Sequence, residues 1–111
     1  MKRVRFYLPL PDLILSGKKT VTWRVNDEKD IRQGDQLSLC YGDGPKKEQE
    51  FAKAEVLLAK ETTFGNLSDE DKEEHEKYLS EEEMYRIYSG YYNKEIGPET
   101  KLKIIKFKLI S

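Results

Sequence analysis

Cysteine and histidine are nearly missing from this chain, with one of each in 111 residues. A single Cys excludes an intramolecular disulfide framework and most cysteine-based metal sites. With one His as well, zinc chemistry is a poor fit, so neither a metal nor a cofactor is expected. The H-x-E and P-C-x-x-C pair of zinc deaminases is absent. So are the Walker A loop and the G-x-G-x-x-G turn that cradle nucleotide phosphates. No apolar run is long enough to span a bilayer. The basic start, Met1-Lys2-Arg3-Val4-Arg5, lacks the apolar stretch of a secretory signal. These absences predict a soluble cytoplasmic protein with no membrane partner. Internal repeats and low-complexity linkers are also lacking.

What remains is enough for one small domain, residues 1–111. Hydrophobic and charged residues each make up 37%. The mean hydropathy of −0.81 is low, but 12 aromatics (4 Phe, 1 Trp, 7 Tyr) supply a core. The net charge of −1 hides an uneven distribution. Residues 68–83 hold nine acids and two lysines, a balance of −7, which leaves +6 for the rest. The rest can therefore present a basic surface to a phosphate-bearing partner. The plainer alternative is a solvated acidic helix on a mildly basic domain.

Periodicity gives the elements. Arg3 to Leu8 alternates, with Val4, Phe6 and Leu8 on one face, as a strand does. Pro9 and Pro11 end it, and Pro11 suits the first turn of a short helix through Asp12–Ser16, capped by Gly17. Thr20–Arg24 is a second strand, expected to bury Val21 and Trp23 and to leave Thr20, Thr22 and Arg24 open. Asn26–Arg32 reads as a loop, and Gly34-Asp35 as a turn into strand Gln36–Tyr41, which Gly42-Asp43-Gly44-Pro45 breaks. Phe51–Lys60 is a further strand with Ala52, Ala54, Val56 and Leu58 on one side. Ser68 opens an acidic helix and Ser80 a second, with Met84, Ile87, Tyr88 and Tyr91 on one face before Gly97-Pro98. The final strand is Leu102–Leu109, where the doubled Ile104-Ile105 suggests a β-bulge. The order is strand, short helix, three strands, two helices, strand. It predicts an α+β fold around a strongly curved sheet.

The densest chemistry lies in Gly17-Lys18-Lys19-Thr20-Val21-Thr22-Trp23-Arg24. Arg and Thr on one strand face can bind phosphate, carboxylate or a base edge. A Lys beside a Thr can also be a base–nucleophile pair, provided the Lys is made less basic by burial or a nearby cation. A solvated polar face on an edge strand would have the same composition. In a regular strand Lys19 and Thr22 point to opposite faces; they converge only if Lys19 still belongs to the turn after Gly17. His75, flanked by Glu74 and Glu76, is expected at the surface, and Cys40 as a packing residue. Tyr85, Tyr88, Tyr91 and Tyr92 are expected mainly in helix packing, with one or two available to stack on a base.

Ile14-Leu15-Ser16-Gly17-Lys18-Lys19-Thr20-Val21-Thr22-Trp23-Arg24, then Ile31-Arg32-Gln33-Gly34-Asp35-Gln36-Leu37, Phe64-Gly65-Asn66-Leu67 and Ile104–Leu109 together resemble an ASCH domain (activating signal cointegrator homology). This is a branch of the PUA-like superfamily, and the resemblance covers essentially the whole chain. It implies a PUA-like curved β-barrel of about five to six strands with two to three flanking helices. It also implies a cleft at the Lys-Thr segment that meets RNA or a nucleoside. Small bacterial members of the family are N4-acetylcytidine amidohydrolases. By that resemblance Lys19 and Thr22 are catalytic and Glu76 completes a triad, with Glu74 as the fallback. Lys19 would accept the Thr22 proton, Thr22 would attack the acetyl carbonyl, and the Glu would protonate or orient the departing amine. Lys18, Thr20 and Arg24 are the expected substrate or RNA contacts. The expected partner is thus an acylated nucleoside or RNA. Two other functions remain open: RNA binding without catalysis through the same basic cleft, and protein binding by the acidic helices.

Overall fold

The computed structural model describes residues 1–7, 10–25, 29–42, 49–73, 75 and 77–110. The elements are β1 (Lys2–Phe6), α1 (Leu10–Leu15), β2 (Val21–Arg24), β3 (Gln36–Tyr41), β4 (Gln49–Thr63), a 3-10 turn (Phe64–Asn66), α2 (Asp69–Lys72), α3 (Glu81–Tyr92) and β5 (Lys101–Ile110). This is the expected order.

All five strands form one sheet in the order β1-β3-β4-β5-β2. β1 runs parallel to β3, and the other neighbours are antiparallel. The first and second strands of the sequence therefore stand at the two edges. The sheet curls so that these edges approach each other, and Arg24 Nη2 donates to the carbonyl oxygen of Arg5 at 3.0 Å across the gap. The result is a half-barrel with an open seam between β1 and β2.

Two cores form, one on each face of β5. Ile105 and Phe107 join Val4, Phe6, Ile14, Leu37, Leu39 and Val56. Leu102 and Ile104 join Val21, Trp23, Phe64, Met84 and Tyr88, beneath α3. The doubled isoleucine thus reflects burial of both faces and not the expected bulge. The register shift sits on the partner strand, between Val56 and Leu58 opposite Phe107 and Lys106. The extra residue, Leu57, upsets the alternation of β4, so Leu58 is exposed and does not continue the buried row of Ala54 and Val56.

Local signals hold where they are chemical. Gly17 adopts φ +82°, the left-handed geometry that ends α1. Ser68 and Asp71 form a reciprocal capping box at α2. The Ser80 hydroxyl accepts from the Glu83 N–H at 3.1 Å at the start of α3. Asn93, left-handed at φ 51°, ends that helix, four residues before the Gly97-Pro98 expected to do so. α2 is a single turn, shorter than the acidic helix the composition suggests. The expected strand end at Leu8 and Pro9 and most of the break at 43–45 lie outside the described residues.

Candidate functional site

Lys19 precedes β2. Its backbone N–H bonds back to the Leu13 carbonyl at 3.1 Å, within the turn that closes α1. This is the condition under which Lys19 and Thr22 turn the same way. Both are buried, at 2% and 4% exposure, and both line a cavity of about 380 Å³ at the open seam. Lys19 Nζ donates to the Val21 carbonyl oxygen at 2.7 Å, which anchors the end of the side chain beside β2.

Of the face of β2 expected to stay open, Thr22 is buried and Thr20 and Arg24 are half-buried; Val21 and Trp23, on the other face, are buried as expected. β2 is an edge strand, but the seam folds β1 toward it, and α3 covers its other side.

β1 supplies the opposite wall. Arg3, Arg5 and Tyr7 alternate along it, and Phe6 also reaches the cavity. The Arg24 guanidinium lies 4.8 Å from the Phe6 ring centroid and the Arg5 guanidinium 5.7 Å from that of Tyr7, both within cation–π range. Tyr7 stacks on Tyr91 of α3 at 5.5 Å and 16°. Tyr92 also lines the cavity, and its hydroxyl accepts from the Val25 N–H at 3.0 Å. Lys29 completes the rim, its ammonium bonded to the Arg3 carbonyl oxygen.

His75 is the clearest departure from expectation. It is 3% exposed and stacks on Trp23 with centroids 3.7 Å apart and planes 12° apart. Its Nε2 lies 3.3 Å from the Tyr88 hydroxyl. A lone His among acids reads as a surface residue because sequence does not show which ring faces it. Here Trp23 supplies the flat apolar partner. His75 does not line the cavity, but Trp23 and Tyr88, which it touches, do.

The seam gathers Lys19, Thr22 and Arg24. Lys18 is exposed and does not line it. Thr20 lines a separate groove with Gly17, Leu57 and Lys106. Glu76 and Glu74 lie outside the described residues, and no described carboxylate lines the seam cavity. Among the described residues no cluster of His, Cys, Asp and Glu suits a metal ion, and no helix is long and apolar enough to cross a membrane. Cys40 is buried, 3.4 Å from the Ser38 hydroxyl, as a packing residue would be. The residues missed from sequence are Arg3, Arg5, Tyr7 and Lys29. For Arg3, Arg5 and Tyr7 the only signal was the polar side of the β1 alternation, whose apolar side alone predicts the core; Lys29, in a loop, gave none.

No family model and no curated protein matches the chain. Solved structures do. The hypothetical protein PH0355 is 26% identical, with a TM-score of 0.72 over 99% of this chain and 100% of that one. The ASCH domain from Lactobacillus crispatus JV V101 is 15% identical, with a TM-score of 0.68 over 97% of this chain and 79% of that one. A mutant ASCH protein from Zymomonas mobilis is 17% identical, with a TM-score of 0.67 over 96% of this chain and 66% of that one.

Proposed function

We propose that this chain, which has the fold of the ASCH domains, is an amidohydrolase for N4-acetylcytidine or a related acylated nucleoside. The observation that carries this reading is the convergence of Lys19 and Thr22, both buried, on one cavity of nucleoside size.

In the reaction, Thr22 Oγ1 attacks the acetyl carbonyl carbon and its proton passes to Lys19 Nζ, which must be unprotonated to take it. The C–N bond then breaks. The amine leaves with a proton from a general acid, the role reserved for Glu76 or Glu74, and the acetyl group remains as an ester on Thr22. Water hydrolyses that ester, releasing acetate and restoring the hydroxyl. Arg24, on the same strand, orients the base or its sugar. RNA binding without hydrolysis is the second reading, favoured by the cations of the cavity wall.

The test is chromatographic. The protein is incubated with N4-acetylcytidine and the mixture is assayed for cytidine. Turnover is expected, with a loss of about a hundredfold or more in Thr22→Ala and in Lys19→Gln. No turnover at high protein concentration would remove this substrate and leave the RNA-binding reading.

A further inference from the structure

Besides Lys19, the base of the reaction above, four of the sixteen residues that line the seam cavity are cationic, and none of the sixteen is acidic. Several cations elsewhere have carboxylates: Lys2 with Asp35 at 2.8 Å, Arg32 with Asp30 at 2.6 Å and Lys60 with Asp71 at 2.6 Å. Arg3, Arg5 and Lys29 have none among the described residues. The Lys29 ammonium is held by the Arg3 carbonyl, and the Arg5 guanidinium by the face of Tyr7. Arg3 and Arg5 are two apart on β1, so they project to the same side about 7 Å from each other. Lys29 joins them at Arg3. Three cations therefore meet on one stretch of an edge strand, at the mouth of a concave site. A neutral nucleoside would leave their mutual repulsion uncompensated.

We propose that Arg3, Arg5 and Lys29 form an anion subsite for a phosphate carried by the nucleoside, so that the ligand of the seam is a nucleotide. This rests on the nucleoside reading above and narrows it. Guanidinium groups bind phosphate oxygens through parallel charged hydrogen bonds, and the ammonium adds a point charge. The phosphate can be the terminal group of a mononucleotide or the 5′ link of an RNA residue.

The experiment is calorimetric titration of the intact protein with cytidine, cytidine 5′-monophosphate, a short oligocytidylate and inorganic phosphate. Cytidine 5′-monophosphate is expected to bind at least about tenfold more tightly than cytidine. The preference is expected to shrink as salt is raised, and to be lost in the Arg3→Gln/Arg5→Gln double variant and reduced in Lys29→Gln. Lys53→Gln, the same single charge change as Lys29→Gln but at an exposed position of β4, keeps it. Affinity for the oligocytidylate above that for the mononucleotide identifies RNA as the source of the phosphate; the reverse order identifies the free nucleotide. Equal binding of cytidine and its monophosphate, or a preference that survives in the double variant, overturns the subsite. If N4-acetylcytidine is nevertheless turned over, the hydrolase reading stands without it. If phosphate and the monophosphate compete for the protein but no cytidine is recognised, the subsite stands and the nucleoside reading falls. No binding by any of the four overturns both.

Discussion

His75 carries more of the second core than one polar side chain usually does. Its ring covers the face of Trp23 and its Nε2 meets the Tyr88 hydroxyl. His75→Ala is expected to cost about 2–4 kcal/mol, from the cavity it leaves and the hydrogen bond it removes. Urea unfolding measures this, and a cost below 1 kcal/mol would show that the stack contributes little. Trp23 gives the opposite case. Its indole N–H is buried with no acceptor among the described residues, so Trp23→Phe discards that donor along with apolar area. We expect it to cost less than His75→Ala in the same assay. At this scale the sequence is informative about residue type and poor about company. Lys19, Thr22 and Arg24 stand out by composition, and Gly17 correctly implies the turn that lets Lys19 face the cavity. Arg3 and Lys29 do not stand out, because what matters in them is a neighbour from a distant segment.

Among the elements, the two short acidic segments are held in different ways. α3 starts on the Ser80 hydroxyl, and Ser80→Ala is expected to cost about 1 kcal/mol of stability in denaturant unfolding. α2 is one turn and depends on Asp71. Burial pushes the Asp71 carboxyl up, but the Lys60 ammonium and the Ser68 N–H and hydroxyl outweigh it and hold it below 3.8. The folded value is thus lower than the unfolded one. The stabilisation is complete above the unfolded value and disappears as pH falls through the folded value. Between pH 6 and pH 3 the native protein is therefore expected to lose more stability than Asp71→Asn does. Equal losses would place the acid sensitivity elsewhere. Helix starts were legible because Ser followed by acids is local chemistry. Ile104-Ile105 was not, because a bulge and a strand buried on both faces give the same two apolar letters.

Over the whole molecule, the order of elements follows from the sequence and the closure does not. Nothing local tells β1 to pair in parallel with β3, or β2 to seek β5. The seam, and so the site, arises from those long-range pairings. β5 unites the two cores, with Ile105 in one and Ile104 in the other. Ile105→Ala is expected to destabilise by about 2–5 kcal/mol, although Trp23 lies in the other core. Tryptophan fluorescence and far-ultraviolet circular dichroism should report one shared midpoint. Separate midpoints would mean that the cores melt independently.

The central place of β5 also has a consequence for the chain as the ribosome makes it. Trp23 pairs with Ile104, about eighty residues later. Until that late segment emerges, β2 has no partner strand, β4 has an open edge, and the walls of the seam cannot be brought together. β2 and the free edge of β4 must therefore wait for the last strand, and both cores stay incomplete, with apolar side chains uncovered, until it arrives. That interval is when a nascent chain is most open to capture by chaperones or by its neighbours.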